Sequence, residues 1–348
     1  MRFSVDLAER SYEVEVAVGA RRGLSHLIAQ RAPEAKRAAI VTSPSLRAQP
    51  WFDLETGIDQ VVLEVPDGED AKDVEVLGEL LEALAREGLS RRDVVVCVGG
   101  GAVTDLGGFA AAVYLRGVAL VQVPTSLVGQ VDAAIGGKTG VNLAAGKNLA
   151  GAFHQPLGVL ADVETLATLP ERDRVAGFGE VAKCWLLEER RRGDLDGVGL
   201  EELIGMAVGL KAAIVSVDET EQGPRALLNY GHTLGHALER LALDEGRDAL
   251  RHGEAVAVGL AFAARLAHSL GRVDAAEVVN HDEVLERLGL GARVPERFAT
   301  ADLVAAMAHD KKAHHDLAFV LAGPEGFEVV RGIAPDEVIR VLDNFRGE

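Results

Sequence analysis

The chain is short of cysteine: two among 348 residues, Cys97 inside an apolar run and Cys184 in a segment of helical period. Two thiols provide no disulfide framework and suit a reducing compartment. No apolar run approaches the ~20 residues that a membrane-spanning helix needs. The opening residues, Met-Arg-Phe-Ser-Val-Asp, lack a signal-peptide core. These absences predict a soluble, cytoplasmic protein with no membrane partner. An excess of positive charge is also missing, since 36 basic against 54 acidic side chains leave a net charge of −18. Such a surface disfavours nucleic acid, although a local basic pocket can still hold an anionic substrate. Fixed-period repeats and low-complexity linkers are absent too, so the domains are expected to pack together around a cleft.

What is present fits a globular enzyme: 48% apolar and 26% charged residues. The length exceeds one compact core and implies two domains. Strand-like segments recur at Tyr12–Val18, Ala38–Thr42, Val61–Val65, Val94–Val98, Ala119–Val123 and Gly158–Asp162. Helical patterns lie between several of them, most clearly at Val74–Glu87. This alternation predicts an α/β domain over residues 1–165, Rossmann-like, with a largely parallel sheet covered on both faces. From Leu166 onward, leucine- and alanine-rich segments dominate: 174–189, 200–217, 228–243, 252–270, 282–288 and 301–309. They predict an all-α domain over residues 166–348, with Pro170 at a helix start. The charged run Glu188–Gly199 reads as a solvated loop.

Three stretches carry candidate chemistry. In the segment 225–254, His232 and His236 stand four apart, one helical turn, and His252 follows. Two imidazoles on one face and a third from another element can make an open metal site; ordinary helix histidines have the same spacing. Glu180, Lys183, Lys211, Arg225 and Asn229 are the polar company that weighs toward a site. Second, Val94–Val98 runs into Gly99-Gly100-Gly101. These glycines either let the backbone approach a phosphate at a helix N-terminus or meet a positive φ in a tight turn. The pattern is not Gly-x-Gly-x-x-Gly, which argues against a standard first Rossmann turn. Third, Thr125-Ser126, Asp132, Lys138 and Gly146-Lys147-Asn148 crowd hydroxyls, a carboxylate and two lysines into a short stretch, as facing an anion or lining a solvated surface would allow.

Taken in order, Gly99-Gly-Gly…Asp105, Arg116-Gly, Gln130-Val-Asp…Gly-Gly-Lys138, Gly146-Lys-Asn, Glu180-Val-Ala-Lys183, Leu228-Asn-Tyr-Gly-His-Thr-Leu-Gly-His, His252-Gly-Glu-Ala and Asp310-Lys-Lys make the chain similar to the 3-dehydroquinate synthases, a branch of the sugar phosphate cyclases. The resemblance runs from about Asp67 to Lys312. It implies an NAD-binding α/β domain followed by a helical domain, with the active site between. It implies zinc or cobalt on Glu180, His232 and His252, with His236 left to the substrate. NAD would lie across Glu69, Lys72, Gly99, Gly100, Gly101, Asp105, Thr125 and Ser126, with Lys138 and Lys147 nearby. Asp132, Lys138, Asn148, Lys183, Lys211, Arg225, Asn229, His236 and Lys312 would surround the substrate, and Arg116 would reach its phosphate from the neighbouring subunit of a homodimer.

The activity so implied is a lyase of the shikimate pathway, which feeds aromatic amino acid biosynthesis. NAD oxidises one alcohol of 3-deoxy-D-arabino-heptulosonate 7-phosphate transiently. Phosphate is eliminated, the hydride returns, and an intramolecular aldol closure forms the ring. Three departures from the family pattern stand out: Ser43 where an acid or Asn often contacts the adenosine ribose, Thr125-Ser126-Leu-Val for Thr-Thr-Leu-Leu, and Cys184-Trp185 for Tyr-Gly. The competing readings are a cyclase acting on an amino analogue or on a heptulose phosphate, a metal-dependent polyol dehydrogenase, and a non-catalytic NAD-binding protein. The last predicts loss of Glu180, Lys183, His232 or His252, and all four are present.

Overall fold

The computed structural model describes residues 1–188, 195–242, 250–309 and 317–347. The chain divides into two compact units: Met1–Pro170 with Gly199–Thr220, and Glu171–Val198 with Glu221–Glu348. It therefore passes from one unit to the other three times, where the sequence suggested one boundary near 165. The difference lies in a single helix. Residues 200–217 have the same period and composition as their helical neighbours, and periodicity says that a helix has a buried face, not which core receives it.

The first unit contains β1 (Arg2–Val5), β2 (Tyr12–Ala17), α1 (Leu24–Arg31), β3 (Arg37–Thr42), α2 (Pro44–Arg47), β4 (Asp59–Glu64), α3 (Val74–Arg86), β5 (Val94–Gly99), α4 (Gly101–Val113), β6 (Ala119–Pro124), β7 (Lys138–Leu143), β8 (Gly146–Phe153) and β9 (Gly158–Asp162). After α5 (Glu171–Leu187), which belongs to the second unit, α6 (Leu200–Val217) returns to the first. The sheet order is β1-β2-β9-β6-β5-β3-β4, parallel throughout except for β1. The run Val94-Val-Val-Cys-Val explains its central place. Val94, Val96 and Val98 enter one core with Leu24, Ile28 and Val121, while Val95 and Cys97 enter the other with Leu80, Leu84 and Leu106. Only a strand covered on both faces accepts apolar side chains at every position. Six strands match the expected segments; β1 and the β7–β8 hairpin are additional. The strand order reverses between β3 and β5, so the carboxyl ends of these two strands flank the crevice where open α/β sheets bind ligands.

The second unit is helical: α5, α7 (His232–Ala242), α8 (His252–Ser269), α9 (Ala275–Arg287), α10 (Thr300–His309) and α11 (Pro335–Gly347). Helix α8 is buried almost throughout and touches α5, α7, α9 and α11. The all-α expectation is corrected by an antiparallel hairpin, β10 (Leu317–Gly323) with β11 (Gly326–Ile333). Its first strand, Leu-Ala-Phe-Val-Leu-Ala-Gly, is a short apolar run, and such runs do not distinguish strand from buried helix by period. Pro170 directly precedes α5 instead of lying within it. No helix among the described residues is long and apolar enough to cross a membrane.

Candidate functional site

In the second unit, helices α5, α7 and α8 bring three candidate ligands together. One donor atom each from Glu180, His232 and His252 lies within 4.8 Å of the others. His232 Nε2 stands 3.4 Å and His252 Nε2 3.0 Å from the same Glu180 Oε1. For bonds of about 2.0–2.1 Å, the edge of a tetrahedron is roughly 3.3 Å, so these separations suit a common ion. The other ring nitrogens are already engaged. His232 Nδ1 meets the Tyr230 carbonyl at 3.0 Å, and His252 Nδ1 meets Glu239 Oε2 at 2.9 Å. A carbonyl or carboxylate can only accept, so each Nδ1 carries a proton when its imidazole is neutral, and each Nε2 lone pair points at Glu180. One carboxylate with two imidazoles suits zinc and cobalt alike.

Charge supports this geometry. Burial alone would raise the Glu180 carboxyl, but Lys183, one turn along α5, and the two imidazoles hold it well below the usual carboxylate range. Burial dominates at His232 and lowers its imidazole, keeping it neutral. At His252 burial acts the same way, yet the Glu239 and Glu180 carboxylates prevail and raise it to about 10. Glu239 was not anticipated. It lies three residues after His236 and seven after His232, on one face of α7, and that spacing was its only signal. His236 stands beside these candidate ligands, its ring 5.2 Å from that of His232 and 6.3 Å from that of His252. Arg225 is buried in the turn before α7, and Asn229 Nδ2 donates to Glu221 Oε1 at 2.6 Å.

In the first unit the expected cofactor residues gather at the carboxyl ends of the parallel strands. Gly99–Gly101 join β5 to α4, and none has a positive φ. Space explains them instead: a Cβ on Gly99 would stand 2.6 Å from the Val103 side chain, and one on Gly100 3.2 Å from Ser126 Oγ. Helix α4 has no side-chain cap, so its first amides remain available to an anion. Lys72 Nζ donates to Asp105 Oδ2 at 2.6 Å and to Asn148 Oδ1 at 2.5 Å. Burial outweighs Lys72 at Asp105 and raises its carboxyl. Asn142, also unanticipated, donates to Glu69 Oε1 at 2.7 Å and accepts from the Asn148 amide at 2.9 Å. Lys211, on α6, donates to the Asp132 carbonyl at 2.6 Å and pairs with its carboxylate. Asp132 lies in a single π-helical turn, Gly129–Ala133, a distortion frequent at functional sites.

Other expectations are placed less tightly. Thr125 is buried directly after β6, and its amide donates to the Gly99 carbonyl. Lys138, Lys147 and Arg116 are exposed. Lys312 and its Asp310-Lys-Lys block lie outside the described residues. At the end of β3, Ser43 and Ser45 hydrogen-bond Asp67 and hold its carboxyl below the usual range, so a carboxylate does stand beside Ser43.

Residues 62–176 match the family described as 3-dehydroquinate synthase N-terminal, and residues 177–313 match 3-dehydroquinate synthase C-terminal. A putative aminodehydroquinate synthase of Amycolatopsis mediterranei is 50% identical over 97% of this chain and 93% of its own length. A 3-dehydroquinate synthase of Thermobifida fusca is 42% identical over 96% of this chain and 98% of its own. Among solved structures, 2-epi-5-epi-valiolone synthase of Streptomyces hygroscopicus, with NAD+ and Zn2+ bound, superposes with a TM-score of 0.81 at 28% identity over 98% of both chains.

Proposed function

The chain belongs to the 3-dehydroquinate synthase family, and on that premise we propose that it converts 3-deoxy-D-arabino-heptulosonate 7-phosphate to 3-dehydroquinate and phosphate. The observation that carries this reading is the convergence of Glu180, His232 and His252 beside the buried ammonium of Lys183. A donor set of this kind suits zinc or cobalt, and the solved relative that binds NAD+ and Zn2+ supports the same cofactors here. When bound, NAD supplies a reversible hydride acceptor, and the metal supplies Lewis-acid polarisation of an alcohol or ketone.

The protein's own groups do the rest. Lys183 keeps Glu180 anionic, and Glu239 and the Tyr230 carbonyl orient the two imidazoles. Arg225 stays charged at any working pH and suits a substrate carboxylate or phosphate. Asp132 fixes the Lys211 ammonium, and Asp105 with Asn148 fixes that of Lys72. Holding a flexible substrate that bears both a carboxylate and a phosphate in one conformation removes much of the entropic barrier to ring closure. Lys138, Asn229, His236, Lys312 and Arg116 complete the substrate-facing set that the family resemblance assigns. The enzyme would act in the cytoplasm as a lyase.

The test is phosphate release from the heptulosonate phosphate with substoichiometric NAD and added zinc or cobalt, following NADH absorbance. Release in many-fold excess over NAD, without NADH accumulation and abolished by chelator, is expected. NADH accumulating with a simple polyol would move the protein to the dehydrogenases. The 50% identity to a putative aminodehydroquinate synthase, above the 42% to the Thermobifida enzyme, favours one second reading: an amino analogue of the same substrate. Comparing kcat/KM for the two substrates under identical conditions decides between them.

We infer a homodimer as well. Leu143, Leu149 and Phe153 on the β7–β8 hairpin, and Leu115 in the turn after α4, expose large apolar side chains, as an interface would require. Sedimentation velocity giving a monomer at micromolar concentration would overturn this inference.

A further inference from the structure

We propose that His281 and Tyr230 act together as a positioning pair for His232, fixing through one main-chain carbonyl the direction in which that imidazole offers its lone pair. The proposal rests on reading Glu180, His232 and His252 as the metal centre.

His281 is fully buried on α9, far in sequence from the ligands and with no role in the chemistry described so far. Its Nδ1 lies 2.8 Å from the Glu277 carbonyl, one helical turn back. A carbonyl only accepts, so Nδ1 carries the proton. Nε2 is then an acceptor, and the Tyr230 hydroxyl, 2.7 Å away, donates to it. Burial lowers the imidazole's basicity and keeps it in this neutral form. Tyr230, equally buried, is thus tied at its phenol. Its main-chain carbonyl is tied at the other end by His232 Nδ1. Two imidazoles grip opposite ends of one residue, and the direction of every proton in the chain follows from its two end carbonyls.

The surroundings leave the carbonyl little freedom. The Tyr230 ring packs against Phe327, centroids 4.9 Å apart, and edge-on against His281. The next residue, Gly231, has φ +78, and its carbonyl lies so close to α8 that a Cβ on Gly259 would stand 1.8 Å from it. Helix α8 blocks one side of the turn and the phenol–imidazole bond anchors the other. A phenylalanine at position 230 would fill the same space but leave His281 Nε2 buried without its donor. The hydroxyl therefore does something that apolar packing cannot: it sets the position of Tyr230, and through it the plane of the His232 ring.

The experiment uses the full chain without substrate and compares wild type with Tyr230→Phe, His281→Leu and His281→Gln. Three quantities are read: zinc affinity by chelator competition, the visible ligand-field spectrum of the cobalt-loaded protein, and NAD affinity. Groups that orient a metal ligand typically change affinity 10- to 100-fold. Tyr230→Phe and His281→Leu are expected to weaken zinc about tenfold and to shift the cobalt bands, with NAD affinity unchanged. His281→Gln, which keeps an acceptor for the phenol, is expected to recover part of the loss. Wild-type zinc affinity and cobalt spectrum in both disrupted variants, whatever their melting temperatures, would overturn the proposal. Should those variants not fold, zinc titration of wild type with 15N-labelled histidine decides, since the His281 ring nitrogens must shift as His232 does. A wild type that takes up no zinc is a different failure, of the metal reading itself.

Discussion

A carboxylate with no solvent contact persists only where cations stand against it, and Glu180 has Lys183 on one oxygen and two imidazoles on the other. Glu180→Gln removes the carboxylate that faces the buried Lys183 ammonium, at a cost of about 3–5 kcal/mol. Chemical denaturation of the metal-free variant should show that loss, while phosphate release disappears and far-UV dichroism remains that of a folded helical protein. His252→Ala should abolish turnover equally; near-wild-type turnover in metal-free buffer would show the ligand assignment to be wrong. The protonation states make a second prediction. Before metal binds, the lowered Glu180 is a carboxylate and the lowered His232 a neutral imidazole at pH 7, whereas His252, raised to about 10, is an imidazolium with a proton on Nε2 as well as Nδ1. Zinc must displace the Nε2 proton, so calorimetry in buffers of different ionisation enthalpy should detect about one proton released, and affinity should rise as pH rises toward 10. The same raised group stabilises the metal-free fold below the ordinary histidine value of 6.5, and that contribution fades as pH rises through about 10. Absence of proton release would mean that His252 is neutral before loading.

At the scale of elements, the centre depends on helices that approach at glycine. Gly179 directly precedes Glu180, and a Cβ there would lie 2.3 Å from the Gly253 carbonyl. Gly253 directly follows His252, and a Cβ there would lie 1.6 Å from the Ala176 carbonyl. Backbone, not a flexible side chain, is in the way, so neither α5 nor α8 can yield locally. Each contact brings a turn that carries a candidate ligand against its neighbour, which is how residues 72 positions apart reach hydrogen-bond distance. Gly259→Ala, whose Cβ would meet the Gly231 carbonyl, is expected to destabilise the protein by about 1–3 kcal/mol in urea unfolding and to weaken zinc binding as the turn before His232 shifts. Gly78→Ala, in α3 with nothing near its would-be Cβ, serves as the contrast and should stabilise by roughly 0.4–1 kcal/mol. Equal effects from the two substitutions would sink the close-packing argument. The His232/His236 spacing was legible in the sequence, whereas the close approach at the flanking glycines was not, nor were Glu239 and His281. The role of each depends on what faces it after packing, and spacing along one helix does not report that.

At the scale of the whole molecule, the three passages of the chain between units have a measurable consequence. Helix α6 buries Leu203, Ile204, Ala207 and Val208, and packs on β1 and β2. Gly205 lies against Met1 and Phe3, and Lys211 holds the turn carrying Asp132. A fragment ending at residue 170 lacks all of these contacts. It is expected to be insoluble or to unfold without a cooperative transition, and a fragment in which residues 199–220 follow residue 170 through a flexible linker should regain one. Cooperative unfolding of the 1–170 fragment alone would show that α6 is dispensable to that core.

Sequence alone determined the local and the chemical. The strand–helix alternation, the doubly buried β5, the candidate ligands and the departure at Ser43 were all readable, because periodicity, composition and motif spacing are properties of short stretches. Tertiary structure decided the rest. It assigned α6 to the α/β unit, added the β7–β8 and β10–β11 hairpins, and showed that Gly99–Gly101 are there for space and not for positive φ. It set Glu239 behind His252, and His281 behind Tyr230 and His232. Each of these depends on which distant surface an element is packed against, and that is an outcome of the whole core and not of any one segment.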